Sequence, residues 1–502
     1  MTGPSKDAQS PAAPPDILDV LIVGAGVSGI GCACYLRRLM PDKRFAILEA
    51  RGDLGGTWDL FRYPGIRSDS DLFTFGYEFR PWTSDQAIAD GPAIQSYLRD
   101  TAAEYGVDRA IRYRHRLLRA DWDSGKALWG VEVRRTDRDE TITLLCRWLF
   151  GATGYYDYAQ GYAPDFAGQQ DFAGPIVHPQ HWPADLDVTG KRVAVIGSGA
   201  TAVTLVPALA RTAAHVVQVQ RTPTYILPVP SRDRIHAVLR CLLPAATAYA
   251  VTRRLNIARQ RWVYTLFQRY PRAARRFIRW ANRRSLPAGF PLDPHFTPPY
   301  APWDQRLCAV PDGDYFAALR GGRASIVTGT IARFDETGLV MASGERIAAD
   351  IVVTATGLKL QLFGGATLAI DGRTIDPAEH LVYKGMMLDG VPNFSFTVGY
   401  TNASWTLKVG LICRHFCRLL EMMDARDARI VVAERPGGPI ETRPLLDFAA
   451  GYVTRSLDTL PRQGDAAPWQ MTVDYARDTR HLTRDPITHP ALHFLPGPQE
   501  AR

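Results

Sequence analysis

Three glycines and a carboxylate near the start of the chain have the types and spacing that hold a dinucleotide. In "DVLIVGAGVSGIG" an apolar run leads directly into a glycine motif, Gly24, Gly26 and Gly29, and then into a helical pattern. Glycines there allow a tight turn, close approach of the backbone to a pyrophosphate and close packing of helix on strand. The next strand, "RFAILEA", ends at Glu49, where a carboxylate can accept hydrogen bonds from a ribose. This complete context predicts a site for a dinucleotide with a free ribose hydroxyl.

A second glycine motif differs from the first in the residues that end the strand after it. In "KRVAVIGSGATAVTLV" the motif residues are Gly197, Gly199 and Ala202, and the strand that follows ends in Arg221 and Thr222. A carboxylate at that place would repel a 2'-phosphate, whereas a guanidinium pairs with it through two hydrogen bonds. The second site therefore suits NADPH.

Two dinucleotide sites in one chain predict a hydride donor and a flavin that accepts the hydride. The segments 151–154 and 354–357, "GATG" and "TATG", each follow an apolar strand and flank the second motif. We therefore expect an α/β protein with two Rossmann-like domains, in which the NADPH domain interrupts the FAD domain. The expected segments are a flexible leader (1–16), the FAD domain (17–155 and 361–502), the NADPH domain (156–222, with a linker, and 304–360) and a helical insertion (223–303).

The segment "FAGPIVHPQHWP" lies between the two motifs and carries His178 and His181. A metal site is not expected here, because the segment contains no cysteine or carboxylate, and Pro179 and Pro183 interrupt a helix that might present both histidines together. A packed linker and a part of a catalytic machine both remain open from the residue types alone.

The composition is that of a folded protein of several domains. The chain has 502 residues, of which 46% are hydrophobic and 22% charged, and its seven cysteines are scattered. The first twenty residues lack the apolar core of a signal peptide, and no apolar run reaches the roughly 18 residues of a spanning helix. These features predict a cytoplasmic protein.

The net charge of +8 is concentrated in one stretch. Residues 253–284 contain eleven arginines and no acid, interleaved with aromatic and aliphatic residues and interrupted by Pro271. The pattern predicts basic amphipathic helices. Their outer side is interpreted either as a solvated face over an apolar stripe or as a peripheral contact with the inner face of a membrane. No nucleic-acid partner is expected, because no recognisable binding motif accompanies the charge.

The histidine segment resembles the fingerprint F-x-G-x-x-x-H-x-x-x-W-P of type I Baeyer–Villiger monooxygenases. The matching residues are Phe172, Gly174, His178, Trp182 and Pro183. Longer stretches, "GGTWDLFRYPGIRSDSDLF" and "PWDQRLCAVPDGD" among them, are most similar to the ethionamide-activating subgroup of actinobacteria. The resemblance implies an enzyme that contains FAD, uses NADPH and O2, and inserts one oxygen atom into ketones through a C4a-peroxyflavin, giving esters or lactones. It also implies oxidation of thioethers and thioamides.

The resemblance assigns roles to further residues. Arg306, in "PWDQRLC", matches the family's active-site arginine, and Asp69, in "RYPGIRSDS", matches the carboxylate that holds this arginine and contacts the cofactor. Arginine suits a reaction with developing negative charge because it stays charged and is a poor acid. The turn residues Gly56, Thr57 and Trp58 are implied in FAD binding. Gln305 departs from the lysine that many relatives have there, so the NADPH preference depends more on Arg221 and Thr222.

Two other functions stay open at this stage. One is a flavin-containing monooxygenase that acts mainly on nitrogen and sulfur. The other is a non-catalytic dinucleotide sensor or membrane-docked binding protein. The sequence leaves the oligomeric state and the physiological substrate undetermined.

Overall fold

The computed structural model describes residues 16–305, 307–446 and 451–498. Most of the expected leader, residues 1–15, lies outside this range, and so does Arg306.

The larger sheet carries the first glycine motif. Within the described residues it has nine strands, and its order starts at the edge strand Arg373–Thr374. The others, in order, are Thr367–Ile370, His115–Asp123, Leu128–Arg135, Glu140–Gly151, Ile17–Val23, Phe45–Glu49 and Ile111–Tyr113, with Phe394–Phe396 also paired to Glu140–Gly151. Ile17–Val23 pairs in parallel with both of its neighbours. We call this sheet, with the helices packed on it, the first unit.

A smaller sheet carries the second motif. Its five described strands are, in order, Ala324–Thr328, His215–Gln220, Arg192–Ile196, Ile351–Thr354 and Ile176–Val177, all parallel. We call this sheet, with its helices, the second unit. All its strands lie in the chain between residues 151 and 367, where the large sheet is interrupted. The topology therefore confirms two Rossmann-like units, one interrupting the other.

The described helices cover both units and the region between them. They are Val27–Leu39, Thr57–Leu60, Leu72–Phe75, Gly91–Glu104, Ala200–Leu209, Arg234–Leu242, Ala245–Arg269, Pro271–Ser285, Asp314–Arg320, Trp405–Ala425, Gly451–Thr454 and Tyr475–Thr479. Short 3-10 turns cover Asp108–Ala110, Gln169–Asp171, Pro179–His181, Leu362–Gly365, Pro377–Glu379 and Leu457–Thr459, and a π-turn covers Arg480–Arg484.

The remaining described strands form small sheets. Tyr225–Val229 pairs in parallel with Leu307–Pro311, and Ile331–Asp335, Gly338–Met341 and Arg346–Ala348 form an antiparallel sheet. The other pairs are Tyr156–Gly161 with Leu358–Leu360, Val382–Tyr383 with Met387–Leu388, Ile430–Ala433 with Leu492–Leu495, and Thr442–Pro444 with Arg462–Gly464.

The core lies on both faces of the large sheet because alternate residues of a strand point to opposite sides. Val20 and Ile22 pack with the helices Val27–Leu39 and Trp405–Ala425, whereas Leu21 and Val23 pack with the opposite layer. The first motif is thereby fixed at the end of a strand that is buried on both faces.

The basic stretch forms two helices that meet at Pro271, as predicted. One arginine of this stretch does not lie on a solvated face. Arg253 is buried, and its Nη1 donates to the carbonyl oxygens of Phe73, Thr74 and Gly76 at 2.7–3.0 Å. These carbonyls end the short helix Leu72–Phe75, where backbone acceptors lack partners within the helix.

Candidate active site

The first glycine motif has the backbone geometry that the sequence predicts. Gly24 has φ +104°, and a Cβ there would lie 2.6 Å from the carbonyl oxygen of Ala152. A Cβ on Gly29 would lie 1.8 Å from the carbonyl oxygen of Gly24. The helix that follows starts after Gly26 with no side-chain cap. Its first N–H groups therefore remain available for an anion such as a pyrophosphate.

Glu49 stands at the end of the second strand and is buried. Its carboxylate accepts hydrogen bonds from the backbone N–H groups of Ala25 (2.9 Å) and Arg51 (2.8 Å). Burial raises the pKa of Glu49, and these two bonds act in the opposite direction. The residue lines the cavity beside the motif, so its position fits a ribose contact, and it also fixes the glycine turn to the neighbouring strand.

The turn at residues 55–58 lies directly over the first motif. A Cβ on Gly56, which has φ +58°, would be 3.0 Å from Cα of Gly26 and 3.2 Å from the hydroxyl of Tyr158. Thr57 hydrogen-bonds with Tyr158, and Trp58 packs edge-on against Phe75 with ring centroids 5.8 Å apart. All three predicted turn residues line the same cavity as Gly24 and Gly26.

The second glycine motif begins with the same kind of crowded, positive-φ glycine as the first, but the space around its second glycine is open. Gly197 has φ +140°, and a Cβ there would be 2.2 Å from the carbonyl oxygen of Ala355. Gly199 precedes the helix Ala200–Leu209, which has no side-chain cap, and a Cβ on Gly199 would meet no atom within 4 Å. Ala202 is buried in the core of the second unit.

Arg221 and Thr222 follow the next strand of the second unit. Arg221 is exposed, and the Thr222 carbonyl accepts from the Ser198 hydroxyl at 2.7 Å, which ties this turn to the motif. The turn that carries Arg221 thus lies beside the second glycine motif.

Both units contribute to one cavity of about 580 Å³. The first unit supplies the residues of its glycine motif, and the second supplies Ala200, Thr201 and Thr204 of the motif helix. The first crossover segment reaches this cavity through Thr153 and Gly154, and Leu358, which directly follows the second crossover segment, also lines it. A ligand held by the first motif and one held by the second can therefore meet in this space.

The predicted catalytic pair is partly described. Asp69 lines the cavity, and its charge acts on the Tyr63 hydroxyl. Arg306 lies outside the described residues, but the strand that begins at Leu307 brings Cys308 and Ala309 to the cavity wall.

The fingerprint residues hold chain segments together, and none of the five lines the cavity. The ring of Phe172 packs on Phe334, and a Cβ on Gly174 would be 2.2 Å from the Asp350 carbonyl oxygen. Trp182 packs on the core of the second unit, and Pro183 is exposed.

His178 has the most informative contacts of the fingerprint. Its Nε2 donates to the carbonyl oxygen of Gly357 (3.1 Å), and its Nδ1 accepts from the Gln180 backbone N–H (3.2 Å). Partial burial lowers the pKa of His178, which keeps this neutral form at neutral pH. The histidine thereby ties the linker to a crossover segment. Within the described residues no group of three or more side chains could hold a metal ion.

Several residues at the site were not singled out from the sequence. Tyr155, Tyr156, Tyr400 and Trp405 give the cavity aromatic walls, and Arg67 is one of three described arginines that line it. Arg67 lies in a stretch that carries the resemblance, but its importance depends on a partner, Asp314, that is 247 residues away.

The two motifs predict contrasting results for a glycine-to-alanine substitution. Gly24→Ala is expected to yield protein with little bound flavin, because alanine at this positive φ costs at least about 1–2 kcal/mol before the overlap with Ala152 is counted. Gly199→Ala is the matched control, since φ is −73° and the space is open. We expect it to retain full flavin content. Flavin absorbance per protein chain measures both, and equal flavin content in the two variants would contradict the prediction.

Two family models match this chain. Residues 22–88 match the NAD(P)-binding Rossmann-like domain, and residues 87–264 match the flavin-binding monooxygenase-like family.

Two curated relatives match over nearly their full lengths. The chain is 52% identical over 482 residues to the FAD-containing monooxygenase EthA of Mycobacterium tuberculosis, which covers 96% of this chain and 98% of the relative. It is 48% identical over 477 residues to EthA of Mycolicibacterium smegmatis, covering 95% and 96%.

Solved structures share the fold. A steroid monooxygenase bound to NADP has a TM-score of 0.74 at 24% identity and covers 96% of this chain and 100% of its own. The complex of OTEMO with FAD and NADP has a TM-score of 0.68 at 21% identity, covering 85% and 88%.

The residues present fit the two cofactors of such enzymes. The first unit offers glycines that a Cβ would overfill, an uncapped helix start and a buried carboxylate, as FAD requires. The second offers an uncapped helix start beside an exposed arginine, as NADPH requires. Together with the full-length identity to EthA, this fit shows that the chain belongs to the family of FAD-containing monooxygenases that includes EthA, the subgroup of type I Baeyer–Villiger monooxygenases that its sequence resembles.

Proposed function

We propose that this FAD-containing monooxygenase inserts one oxygen atom into ketones, giving esters or lactones, and also oxidises sulfur in thioethers and thioamides. The observation that carries the proposal is the shared cavity, in which the flavin side and the NADPH side of the protein face one space with aromatic walls. When bound, FAD accepts hydride from NADPH and reacts with O2. The balance is ketone, NADPH, H⁺ and O2 giving ester, NADP⁺ and water.

The chain's own residues would orient the substrate and stabilise charge. The aromatic walls would favour an apolar substrate. Negative charge develops on the carbonyl oxygen when its carbon is attacked, and we assign Arg306 to stabilise that charge. Asp69 would hold the guanidinium in place and offset part of its desolvation cost.

We propose the same domain organisation that the sequence predicts. FAD would bind 17–155 and 361–502, and NADPH would bind 156–222 and 304–360. The helical insertion, 223–303, contains the strand Tyr225–Val229, which pairs with Leu307–Pro311 at the edge of the cavity.

A ketone that also contains a thioether tests the proposal directly. Flavin-loaded protein, NADPH and ¹⁸O2 are mixed with 4-(methylthio)phenylacetone, and the products are resolved by mass spectrometry. We expect an ester that carries one ¹⁸O atom, with sulfoxide as a second product. Sulfoxide without ester would select the heteroatom monooxygenase, and NADPH consumption that gives only hydrogen peroxide would contradict both.

Arg221 is expected to decide the choice between NADPH and NADH. Arg221→Ala should raise the KM for NADPH by roughly 10–100-fold, since a hydrogen bond between charged groups contributes about 1.5–3 kcal/mol. The KM for NADH, which has no 2'-phosphate, should stay unchanged in the same variant. Steady-state NADPH and NADH oxidation measures both values. Comparable catalytic efficiency of the unaltered enzyme with both nucleotides would contradict the assignment.

We also propose that the basic helices contact an anionic membrane surface, at the inner face of the cell membrane. Of the eleven large hydrophobic side chains exposed in the described residues, eight lie between residues 234 and 285. Trp262 is 65% exposed, Trp280 is 55% exposed, and Phe277 stacks on Trp280. Arg272 and Arg276 are exposed around them. Exposed aromatic residues flanked by arginines suit insertion between anionic headgroups. Among the described helices, none is long and apolar enough to span a membrane.

Vesicle sedimentation tests this contact. We expect binding to vesicles that contain phosphatidylserine, weakening as salt rises, and little binding to phosphatidylcholine alone. Replacing Arg272 and Arg276 by glutamine should lower the partition coefficient roughly thirtyfold, because each basic residue near such a surface contributes about 1 kcal/mol. Arg323→Gln, an exposed arginine of the second unit, is the matched control. Absence of sedimentation at low salt would contradict the proposal.

A further inference from the structure

One loop of the first unit packs against the second unit. We call residues 63–69 the clasp loop. Its first residue, Tyr63, is buried in the hydrophobic cluster of the second unit and hydrogen-bonds with the Thr201 side chain. Thr201 is the second residue of the helix that follows the second glycine motif. The loop therefore contacts the element that would bind NADPH.

Gly65 makes the next contact with the same helix. It has φ +80°, and a Cβ there would be 2.8 Å from the Cβ of Ala208 and 3.0 Å from the carbonyl oxygen of Thr204. Only glycine permits both this backbone conformation and this approach. The loop and the helix are thus in direct van der Waals contact.

Arg67 supplies an ion pair between the units. Its Nη1 and Nη2 donate to the two carboxylate oxygens of Asp314, at 2.5 and 3.3 Å. The side chains are only 15% and 26% exposed, so water screens the pair less than it screens a surface pair. Asp314 begins the helix Asp314–Arg320, which packs on the helix of the second motif.

The far end of the clasp loop is held by the first unit and faces the cavity. The Ser68 N–H donates to the Ala89 carbonyl (3.0 Å), and the Gly91 N–H donates to the Ile66 carbonyl (2.9 Å). Arg67, Ser68 and Asp69 line the cavity. A displacement of the second unit would therefore act on the loop that carries Asp69.

We propose that Arg67 and Asp314 are positioning residues, whose ion pair makes the placement of Asp69 depend on the placement of the NADPH-binding helix. The inference rests on the role of Asp69 in the proposed function. It adds a route by which a bound nucleotide and the oxygen-insertion site affect each other, through residues that need not touch the reacting atoms.

The test compares Arg67→Met, Asp314→Asn and the double variant in flavin-loaded protein. The first readout is the dissociation constant of NADP⁺, obtained from the NADP⁺-dependent rise in unfolding temperature without oxygen or substrate. We expect each single variant to weaken NADP⁺ binding about tenfold, and the double variant to lose little more, because residues that act as one unit are not additive. Additive losses, or an unchanged dissociation constant in folded protein, would overturn the proposal.

The second readout is the share of NADPH electrons that ends in hydrogen peroxide instead of oxygenated product. A misplaced Asp69 should raise this share severalfold, since small displacements at a reacting centre have large effects on rate. Asp350→Asn is the matched control, because the Arg192–Asp350 pair (2.6 Å) lies wholly within the second unit. Equal effects in Asp350→Asn would contradict a role specific to the clasp loop.

The two readouts distinguish a failure of the proposed function from a failure of the coupling through Arg67 and Asp314. If the unaltered enzyme makes no ester, the function proposal fails, yet the NADP⁺ measurement still reports whether Arg67 and Asp314 couple the units. If ester forms and the three variants bind NADP⁺ like the unaltered enzyme, only the coupling fails.

Discussion

Replacing Arg306 by alanine is expected to lower the rate of oxygenated product formation about 10²–10³-fold while NADPH continues to reduce the flavin. The reason is electrostatic: loss of one fixed positive group removes stabilisation from the negative charge that develops on the substrate oxygen. Hydride transfer to the flavin does not develop that charge. Anaerobic stopped-flow reduction and product yield, measured on the same preparation, separate the two steps.

Two further variants sharpen this test. Arg306→Lys keeps a positive charge but loses the planar guanidinium that a carboxylate such as Asp69 can hold through two bonds, so we expect only partial activity. Arg323→Ala removes an exposed arginine of the second unit and should leave both steps unchanged. A normal product yield in Arg306→Ala would remove this residue from its assigned role.

The nucleotide-binding framework could be predicted because its determinants are local. Each glycine motif, its preceding strand and its following helix lie within about thirty residues, the length of one strand–helix–strand unit. The bond from the Ala25 N–H to Glu49 spans only one such unit. The interruption of one unit by the other was also predictable, because two similar crossover segments flank the second motif.

Contacts between distant segments could not be predicted in the same way. The helical period shows that the basic helices have two faces, but it does not show which arginine is buried. Arg253 is buried because three carbonyls from residues 73–76 converge on it, and their position follows from the packing of the first unit. The pairing of Arg67 with Asp314 depends likewise on how the two units lie against each other.

A buried ion pair behind the cavity was also not predicted from the sequence. Lys408 and Asp478 are 1% and 5% exposed, and their Nζ–Oδ2 distance is 2.6 Å. Asp478 also accepts from the hydroxyls of Tyr400 and Thr472, each at 2.6 Å. Burial lowers the pKa of Lys408, and the charge of Asp478 opposes this change. Since Tyr400 lines the cavity, this pair fixes part of the cavity wall.

Asp478→Asn is expected to lower the free energy of unfolding by roughly 3–5 kcal/mol, because it leaves the Lys408 ammonium buried without a counter-charge. The matched control is Asp424→Asn, which removes the partner of Lys43 in an outer ion pair, where Asp424 is 53% exposed. That loss should stay below about 1 kcal/mol. Urea titration of flavin-loaded protein, followed by tryptophan fluorescence, measures both.

The double variant Lys408→Met/Asp478→Asn separates the buried charge from the shape of the site. It removes the ammonium and keeps one amide oxygen, which can accept from one of the two hydroxyls of Tyr400 and Thr472, so we expect it to recover more than half of the stability that Asp478→Asn loses. If the double variant is instead no more stable than Asp478→Asn, the hydrogen bonds of the carboxylate to the two hydroxyls, and not its pairing with Lys408, hold this wall. In either case a shifted Tyr400 should change the KM for the ketone, whereas Asp424→Asn should not.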